Sequence, residues 1–517
     1  MAKHAPDLFA AIHVGSEMVG VQIVEYRSLD DFRILDQAWR QVMLGEETFK
    51  TGRISFGAIT HICELLKGYR RLLSEYGVRD YRLVATTAIR EAQNQAYIID
   101  QIRVKTGFSV DVVDMPQEIF YKYLALFLSV HRHGLTARKG GLLFVDISSG
   151  GLGITLYKEG VLTYQQNIHI GALRIKESFD KKQRDSAYFL QALSEYIYST
   201  IEPVEHEMRK HKNMYLVLSG TETRLLLKML GREEPNGELS FVSLEEFTAI
   251  YEQVMTLTLG QLTKRFGFTE QKAEMVLPTI VLYQHILSLA QFQEIVIPAD
   301  QFIDGIRVLH IMERAKDERR ELIEEQIVSL AHTIGRKYQY DEVHAADVTR
   351  WALLIFDRMG RVHGLGKRER RLLRVAAILH DIGKFISLRR HYFYSYRLIL
   401  SSDILGFSEK EKWVMANVAH YHDKGTPKET EHNFTALSLK EQVLVSKLAA
   451  IIRLADALDC SRGQKISHAD VNFRGDEMQV TVIAQQDISL EEWTFAARSQ
   501  FFEDVFGIKA ILKRNAG

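Results

Sequence analysis

The chain has 517 residues, 46% hydrophobic and 26% charged, which excludes a disordered protein and leaves room for roughly three or four domains. Its 66 Lys and Arg balance its 66 Asp and Glu, so no global field draws in a polyanion, and any such binding needs a local basic patch. With only Cys63 and Cys460 present, a disulfide framework is excluded and a reducing, cytoplasmic setting is expected.

The opening MAKHAPDLFAAIHV has neither a basic n-region nor a long apolar core, so no signal peptide is expected. Leu8 to Tyr26 (LFAAIHVGSEMVGVQIVEY) reads as strand, small-residue turn, strand. A third strand is expected around Arg33 to Leu44. A helix follows over Gly57 to Tyr76, where Ile59, Ile62, Leu65, Leu66, Tyr69, Leu72 and Leu73 keep helical spacing. The strand Tyr81 to Ala85 leads into TTAIREAQN (Thr86 to Asn94), a polar turn and helix start. A strand at Val110 to Val113 and a helix at Gln117 to Val130 complete the first half. The segment HRHGLTARKGG, His131 to Gly141, marks a boundary.

Leu142 to Gly160 (LLFVDISSGGLGITLYKEG) then repeats the opening pattern. An apolar strand ends at Asp146, a turn of Ser148, Ser149, Gly150 and Gly151 follows, and alternation resumes. Laid on the first copy, His13 falls on Asp146, Gly15 on Ser148, Ser16 on Ser149 and Gly20 on Gly153. Two copies imply a duplicated domain with a cleft between its halves. Turns without bulky side chains offer their backbone N–H groups to a phosphate. The pattern resembles the actin-like, sugar-kinase-like phosphate-binding fold.

Further strand–turn–helix units follow at IHIGALRIKESF (Ile168 to Phe179), with a helix over Asp185 to Lys210, and at YLVLSGTETRLLLKML (Tyr215 to Leu230), which indicates α/β architecture. Met275 to Phe292 is the most apolar region, but Pro278, Gln284 and His285 interrupt it, so a buried helix is expected and not a membrane span. From Ile311 to Ser461 apolar residues keep helical spacing, which predicts an all-α domain. Ser467 to Leu512 returns to alternation, then a helix over Leu490 to Phe506 and a last short strand.

Four stretches, VATTAIREAQN (Val84 to Asn94), IGALRIKESF (Ile170 to Phe179), LLRVAAILHDIGKFISLRRH (Leu372 to His391) and KLAAIIRLADALDCSR (Lys447 to Arg462), together resemble the exopolyphosphatase and guanosine pentaphosphate phosphohydrolase family (Ppx/GppA), in its longer form with an HD-type helical domain. The resemblance covers nearly the whole chain. It implies a duplicated actin-like (ribonuclease H-like) α/β core, an all-α HD-like domain and a small α/β C-terminal domain. The expected segments are 1–130 and 131–306 for the two half-domains, 307–465 for the helical domain and 466–517 for the last piece. It also implies removal of terminal phosphates from polyphosphate or pppGpp, with Mg²⁺ or Mn²⁺, by a homodimer. A carboxylate acts as base on water, and phosphate loops hold the terminal group.

Carried over residue by residue, the family's first loop D-x-G-S-N-S stands here as His13, Val14, Gly15, Ser16, Glu17 and Met18. Its G-E-E-E-A stands as Met115, Pro116, Gln117, Glu118 and Ile119, with the family's base placed at Gln117 and one acid kept at Glu118. In the second loop, D-x-G-G-G-S-x-E, Asp146 and Gly150 match, and Gly153 replaces the closing Glu. The implied catalytic acids are Glu118 and Asp146. The implied phosphate contacts are Gly15, Ser16, Arg90, Ser148, Ser149, Gly150, Gly151, Gly220 and Thr221. Three expected acids are replaced, which predicts a preserved cleft with reduced or lost turnover. His13 could still coordinate a metal, while Glu17 would repel a polyphosphate unless a cation stood between.

The family's H…HD…D arrangement falls on His344, His380, Asp381 and Asp456, a metal set that activates water between helices. Tyr394 stands where a further His is expected, and Lys384 would compete with a metal. His391, His420 and His422 are either compensating ligands or ordinary polar surface histidines. The run Arg358, Arg361, Lys367, Arg368, Arg370, Arg371 and Arg374 is either a solvated helix entry or a track for polyphosphate or a nucleotide. It lacks interleaved aromatics, so nucleic acid is the weaker partner. Three functions are in view: a phosphoanhydride hydrolase, a relative that binds such ligands or a partner protein without turnover, and hydrolysis at the HD site.

Overall fold

The strands β1 (Asp7–Val14) and β2 (Met18–Tyr26) form an antiparallel hairpin that pairs His13 with Gly20. β3 (Phe32–Gln41) extends the hairpin, while β4 (Asp80–Ala85) and β5 (Val110–Val112) run parallel on its other side, giving the order β3-β2-β1-β4-β5. The second half repeats this arrangement. β6 (Leu142–Ile147) and β7 (Leu152–Lys158) pair Asp146 with Gly153, the same register as His13 with Gly20. β8 (Val161–Ile168), β9 (Met214–Ser219), β10 (Leu239–Ser243) and β11 (Phe292–Pro298) complete a sheet of order β10-β11-β9-β6-β7-β8. β6 and β9 are parallel, as are β9 and β11. The duplication expected from the sequence is therefore present over five strands of each sheet, with β10 added antiparallel at the edge of the second. The computed structural model describes residues 5–148, 150–233, 237–423 and 425–515, so Ser149, an expected phosphate contact, lies outside the described residues.

Each sheet has its own core. Ile12, Val21, Ile62, Leu66 and Ile98 belong to the first, and Val145, Ile154, Ile197, Leu218 and Ile280 to the second. Local departures from expectation have simple causes. The third strand stops at Gln41, because Leu44 already opens a helix, Leu44–Thr51. TTAIREAQN forms a single short helix, Thr87–Glu91, before a longer one starts at Gln95. The helix expected from Asp185 begins at Phe189, after a separate turn of helix, Lys181–Arg184, capped by Asp180.

The helix Met115–Arg132 follows β5. Asp114 and Gln117 close a capping box on its first turn, and Pro116 fits there because that N–H has no helical partner. Almost all of its residues from Glu118 to Val130 are buried, as expected of a helix apolar on every side. The helix Phe302–Arg314 lies against it, with Gly305 so close that a Cβ would stand 2.0 Å from the Tyr121 carbonyl oxygen. The boundary expected at 306/307 thus falls inside this helix, whose packing keeps it with the preceding residues. The chain divides into two compact units, Met1–Gln326 and Ile327–Gly517.

Helices make up most of the second unit, as the spacing predicted, including Glu342–Arg358, Lys367–Leu379, His391–Ser401, Glu409–His420 and Leu439–Ala457. A three-stranded sheet, β12 (Ile466–Arg474), β13 (Glu477–Ala484) and β14 (Lys509–Arg514), closes the chain, with the helix Ser489–Phe506 between its last two strands. No helix among the described residues is long and apolar enough to cross a membrane.

The Gly305 contact makes a stability prediction. Gly305→Ala forces the two helices of the first unit apart and lowers its unfolding free energy by about 1–3 kcal/mol. Urea denaturation with an unchanged midpoint would show that the helices do not touch there.

Candidate active site and metal centre

The cleft of the first unit encloses about 140 Å³. Its lining includes His13, Gly15, Ser16 and Glu17 from the first hairpin turn, Thr86 after β4, Glu118 and Lys122 from the helix Met115–Arg132, Asp146 and Ser148 from β6 and its turn, and Gly220 and Thr221 after β9. These sit at strand ends or in the first two turns of a helix, where α/β sheets present their ligand sites. Gly220 must be glycine: its φ is +124°, and a Cβ would meet the Ile147 carbonyl oxygen at 2.0 Å.

Glu118 is buried, and Arg90 Nη1 (3.0 Å) and Thr87 Oγ1 (3.2 Å) both donate to its Oε2. Burial pushes its pKa up, but Arg90, Lys122 and His13 outweigh that and hold it below the ordinary carboxylate value. Gln117, which the alignment with the family offered as the base position, instead bonds back to the Asp114 N–H. The acid that faces the cavity is Glu118. Arg90 is not part of the lining: it donates to Glu118, to the Val113 carbonyl and to Thr87 Oγ1, so it acts as a support for the acid. Gly150 and Gly151 are also off the lining. The Gly150 carbonyl accepts from Arg174 Nε at 2.9 Å, and Gly151 closes the turn onto Ser148.

Asp146 is engaged at both oxygens. Ser219 Oγ donates to Oδ1 at 2.7 Å, and Lys122 Nζ stands 2.8 Å from Oδ2. Lys122 comes one helical turn after Glu118, so both project to the same side. Its burial disfavours the charge, but Asp146 and Glu118 more than offset this and raise its pKa. His13 is neutral: burial lowers its pKa to about 4, and its Nε2 lies 3.2 Å from Thr86 Oγ1. Glu222, beside Thr221, is buried with Oε1 unpartnered, and burial together with Glu17 raises its pKa to about 8. A second cavity of about 670 Å³ shares Trp39, Arg224, Asp300 and Gln301 with the first and is flanked by Phe32, Arg132 and Arg307.

The second unit holds the HD set in one cluster. His344 Nε2 lies 3.1 Å from Asp456 Oδ1 and 3.8 Å from Asp381 Oδ2, while His380 Nε2 lies 3.6 Å from Asp381 and 3.7 Å from Asp456. His391 Nε2 and His422 Nε2 approach the other Asp381 oxygen at 3.3 and 3.5 Å. Ligand atoms of His344, His380 and Asp381, and again of Asp381, His391 and His422, come within 4.8 Å of one another. Asp381 belongs to both groups. The ring orientations are held from behind. The Nδ1 atoms of His380 and His422 lie 2.7 and 2.6 Å from the carbonyls of Ala377 and Ala419, and that of His344 lies 2.8 Å from Asp459. A carbonyl only accepts, so Nδ1 of His380 and His422 carries the proton and Nε2 faces the cluster. Burial drives the His380 pKa down to about 3, leaving a neutral ligand. His380 Nε2 and Asp381 Oδ1 are buried without a hydrogen-bond partner. This donor set fits a divalent ion.

His391 lies against Asp381 and His422, and His422 is a buried member of the cluster rather than a surface histidine. His420 is not: its ring packs against Tyr392 and Tyr396. Lys384 Nζ is 2.5 Å from Asp381, as its position foretold, and Arg462 joins it there, while Arg498 pairs with Asp456. In the basic run, Arg358, Arg368 and Arg370 pair with Asp470, Glu411 and Asp357. Lys122, Asp459 and Arg462 were missed in the sequence. Asp459, three residues after Asp456, was the one with a signal, because an acid one turn along shares a helix face.

Both units were compared with known proteins. The model of the Ppx/GppA phosphatase family matches residues 22–300, and that of Ppx/GppA phosphatase domain III matches residues 328–497. The chain belongs to the Ppx/GppA phosphatase family. Phosphatases of this family are hydrolases that generally depend on a divalent metal. A guanosine-5'-triphosphate,3'-diphosphate pyrophosphatase of Vibrio vulnificus is 22% identical over 488 residues, 92% of each chain. One of Photobacterium profundum is 22% identical over 450 residues, 86% of each. Among solved structures, the Aquifex aeolicus family member (TM-score 0.51, 20% identity) covers 60% of this chain and 99% of its own. An exopolyphosphatase from Cytophaga hutchinsonii (TM-score 0.50, 20% identity) covers 59% and 98%. At these identities the structures establish the shared fold.

Two outcomes test this geometry. Asp459→Asn loosens His344 and weakens Mn²⁺ binding by calorimetry about 10–100-fold; unchanged affinity would mean that the ring needs no support. Glu222 titrates near pH 8 when folded and near its ordinary 4.5 when unfolded. Between those values the folded state holds more protons, so stability falls as pH rises. Glu222→Gln flattens that fall, measured by urea unfolding at about pH 5 and about pH 8; an identical slope would place the group in solvent.

Proposed function

We propose that the cleft of the first unit hydrolyses the terminal phosphoanhydride of polyphosphate or of a guanosine penta- or tetraphosphate. The observation that carries this reading is Glu118. It is a buried carboxylate on the cavity wall, held by Arg90 and Thr87. The turns at Gly15–Ser16, Ser148 and Gly220–Thr221 line the same cavity.

In this reading the turn amides hold the terminal phosphoryl group. Glu118 orients a water and takes its proton, the water oxygen forms the new P–O bond, and the bridging P–O bond leaves with its electron pair on the departing chain. Phosphoryl transfer rests on positioning and charge more than on strong bases, so a carboxylate of low pKa suits the task. The larger cavity beside the cleft would take the remainder of the substrate, with Trp39 and the Arg307–Phe32 pair on its wall to receive a guanine. The names of the Vibrio and Photobacterium relatives agree with a guanosine substrate, and that of the Cytophaga protein with polyphosphate.

A second reading has its own support. The unpartnered His380 Nε2 and Asp381 Oδ1 favour Mg²⁺ or Mn²⁺ held by His344, His380, Asp381 and Asp456, with His391 and His422 beside them. When bound, the ion supplies an activated water there. Lys384 and Arg462 would then hold an anionic substrate next to Asp381.

Phosphate release from long-chain polyphosphate and from pppGpp separates the readings. Glu118→Gln lowers kcat by roughly 10²–10⁴-fold with little change in KM, while His380→Ala leaves the rate intact. The opposite pattern would move the chemistry to the helical unit.

A further inference from the structure

The family's metal dependence and the donors of this cleft do not agree. Among the described residues no three His, Cys, Asp or Glu ligand atoms gather in the cleft. His13 stands where the first copy would have an acid and rests on Thr86. Glu118 gives one oxygen, Oε2, to both Arg90 and Thr87. Asp146 gives one oxygen to Ser219 and the other to Lys122. A divalent ion brought to Asp146 would meet an ammonium group already there, and like charges at such range repel strongly in a buried site.

We propose that Lys122 is the cleft's own cation: its ammonium group takes the position of a divalent ion between Asp146 and Glu118 and holds the terminal phosphoryl group of a polyphosphate chain without metal. The inference rests on the reading of this cleft as the phosphate site and adds the group that neutralises the charge. Three further facts support it. The Lys122 side chain is 12% exposed and lines the cavity, so it is neither a surface lysine nor sealed in the core. Asp146 takes one of its three N–H donors, which leaves donors for a ligand. Asp146 and Glu118 keep it charged. Lysine suits this role because it binds phosphate as a point charge. Asp146 is then a positioning residue that aims the ammonium group.

The alternative is a buried ion pair that only holds the helix Met115–Arg132 to β6. Calorimetry of metal-stripped full-length protein with long-chain polyphosphate distinguishes the two. In the His380→Ala background, which removes the helical metal site, wild-type cleft affinity in EDTA is expected to stay within about threefold of that in Mg²⁺. Lys122→Met should lose at least about tenfold in EDTA, and Lys122→Arg should keep most of the binding. Lys122→Met leaves a buried carboxylate unpaired, so Lys122→Met/Asp146→Asn provides a charge-balanced variant with the same expected loss. Binding that vanishes in EDTA and returns with Mg²⁺ overturns the inference and leaves the cleft assignment standing. So does unchanged affinity in either methionine variant. No binding in either condition overturns the cleft assignment itself.

Discussion

A carboxylate taken out of water must be paired, hydrogen-bonded or protonated, and the cost of leaving it otherwise is several kcal/mol on the order of what a whole domain has to spare. The two units of this protein meet that constraint in different ways. In the cleft, Asp146 is closed off by Ser219 and Lys122, and Glu118 by Arg90 and Thr87. Glu222, where burial outweighs the pull of Lys122, answers by taking up a proton. Glu17 and Asp300 also line the cavity, and burial with a neighbouring acid raises the pKa of each. An incoming phosphate meets Lys122 and the turn amides, with the charge of Asp146 and Glu118 already compensated.

The duplicated sheet explains how such a pocket can be assembled from distant segments. In both halves the hairpin lies beside parallel strands, so the turns after β1, β4, β6 and β9 come from parallel neighbours and open at the same end of their sheets. The register match of His13–Gly20 with Asp146–Gly153 shows that both hairpins are cut to one pattern. The helix Met115–Arg132 then brings Glu118 and Lys122 to that end. Its capping box fixes where the first turn begins, and this phase decides that Glu118 and Lys122, not Gln117, reach the cavity.

Helical phase is also where reading the chain alone stopped. Strand alternation, the repeated turn and the helical spacing of the second unit are local signals, so the elements and the duplication were legible. Pro116, Gln117 and Glu118 are consecutive, and no sequence pattern says which of two neighbouring side chains turns inward until the cap is placed. Lys122 was invisible for a related reason. A lysine amid Tyr121, Tyr123 and Leu124 looks like a solvated position on an apolar helix, and only the approach of β6 reveals Asp146 beside it. His391 and His422 were legible as possible ligands, but the sequence did not separate them from His420. Their partner Asp381 is reached through separate helices, and distance along the chain hides that convergence. The arginine run was the reverse case, a conspicuous sequence feature of which Arg358, Arg368 and Arg370 are taken up by ion pairs with Asp470, Glu411 and Asp357.

The histidines make the contrast between the units sharpest. In the helical unit His380 and His422 each point Nδ1 at a backbone carbonyl, and His344 points its own at Asp459. That leaves three Nε2 atoms turned toward acids, and on His380 that atom has no hydrogen-bond partner at all. Such support behind the ring is what a metal-binding histidine requires. In the cleft the single histidine has the opposite arrangement: His13 spends Nε2 on a threonine hydroxyl and packs its ring near Phe302. Lys384 and Arg462 both contact Asp381 Oδ2, the oxygen that also faces His344 and His380, while the unpartnered Oδ1 faces His391 and His422 and stays open to an ion. A divalent ion therefore finds prepared donors in the helical unit and an occupied position in the cleft. On this division the cleft keeps a fixed charge and the helical cluster keeps the exchangeable one, and the two sites respond separately to removal of metal.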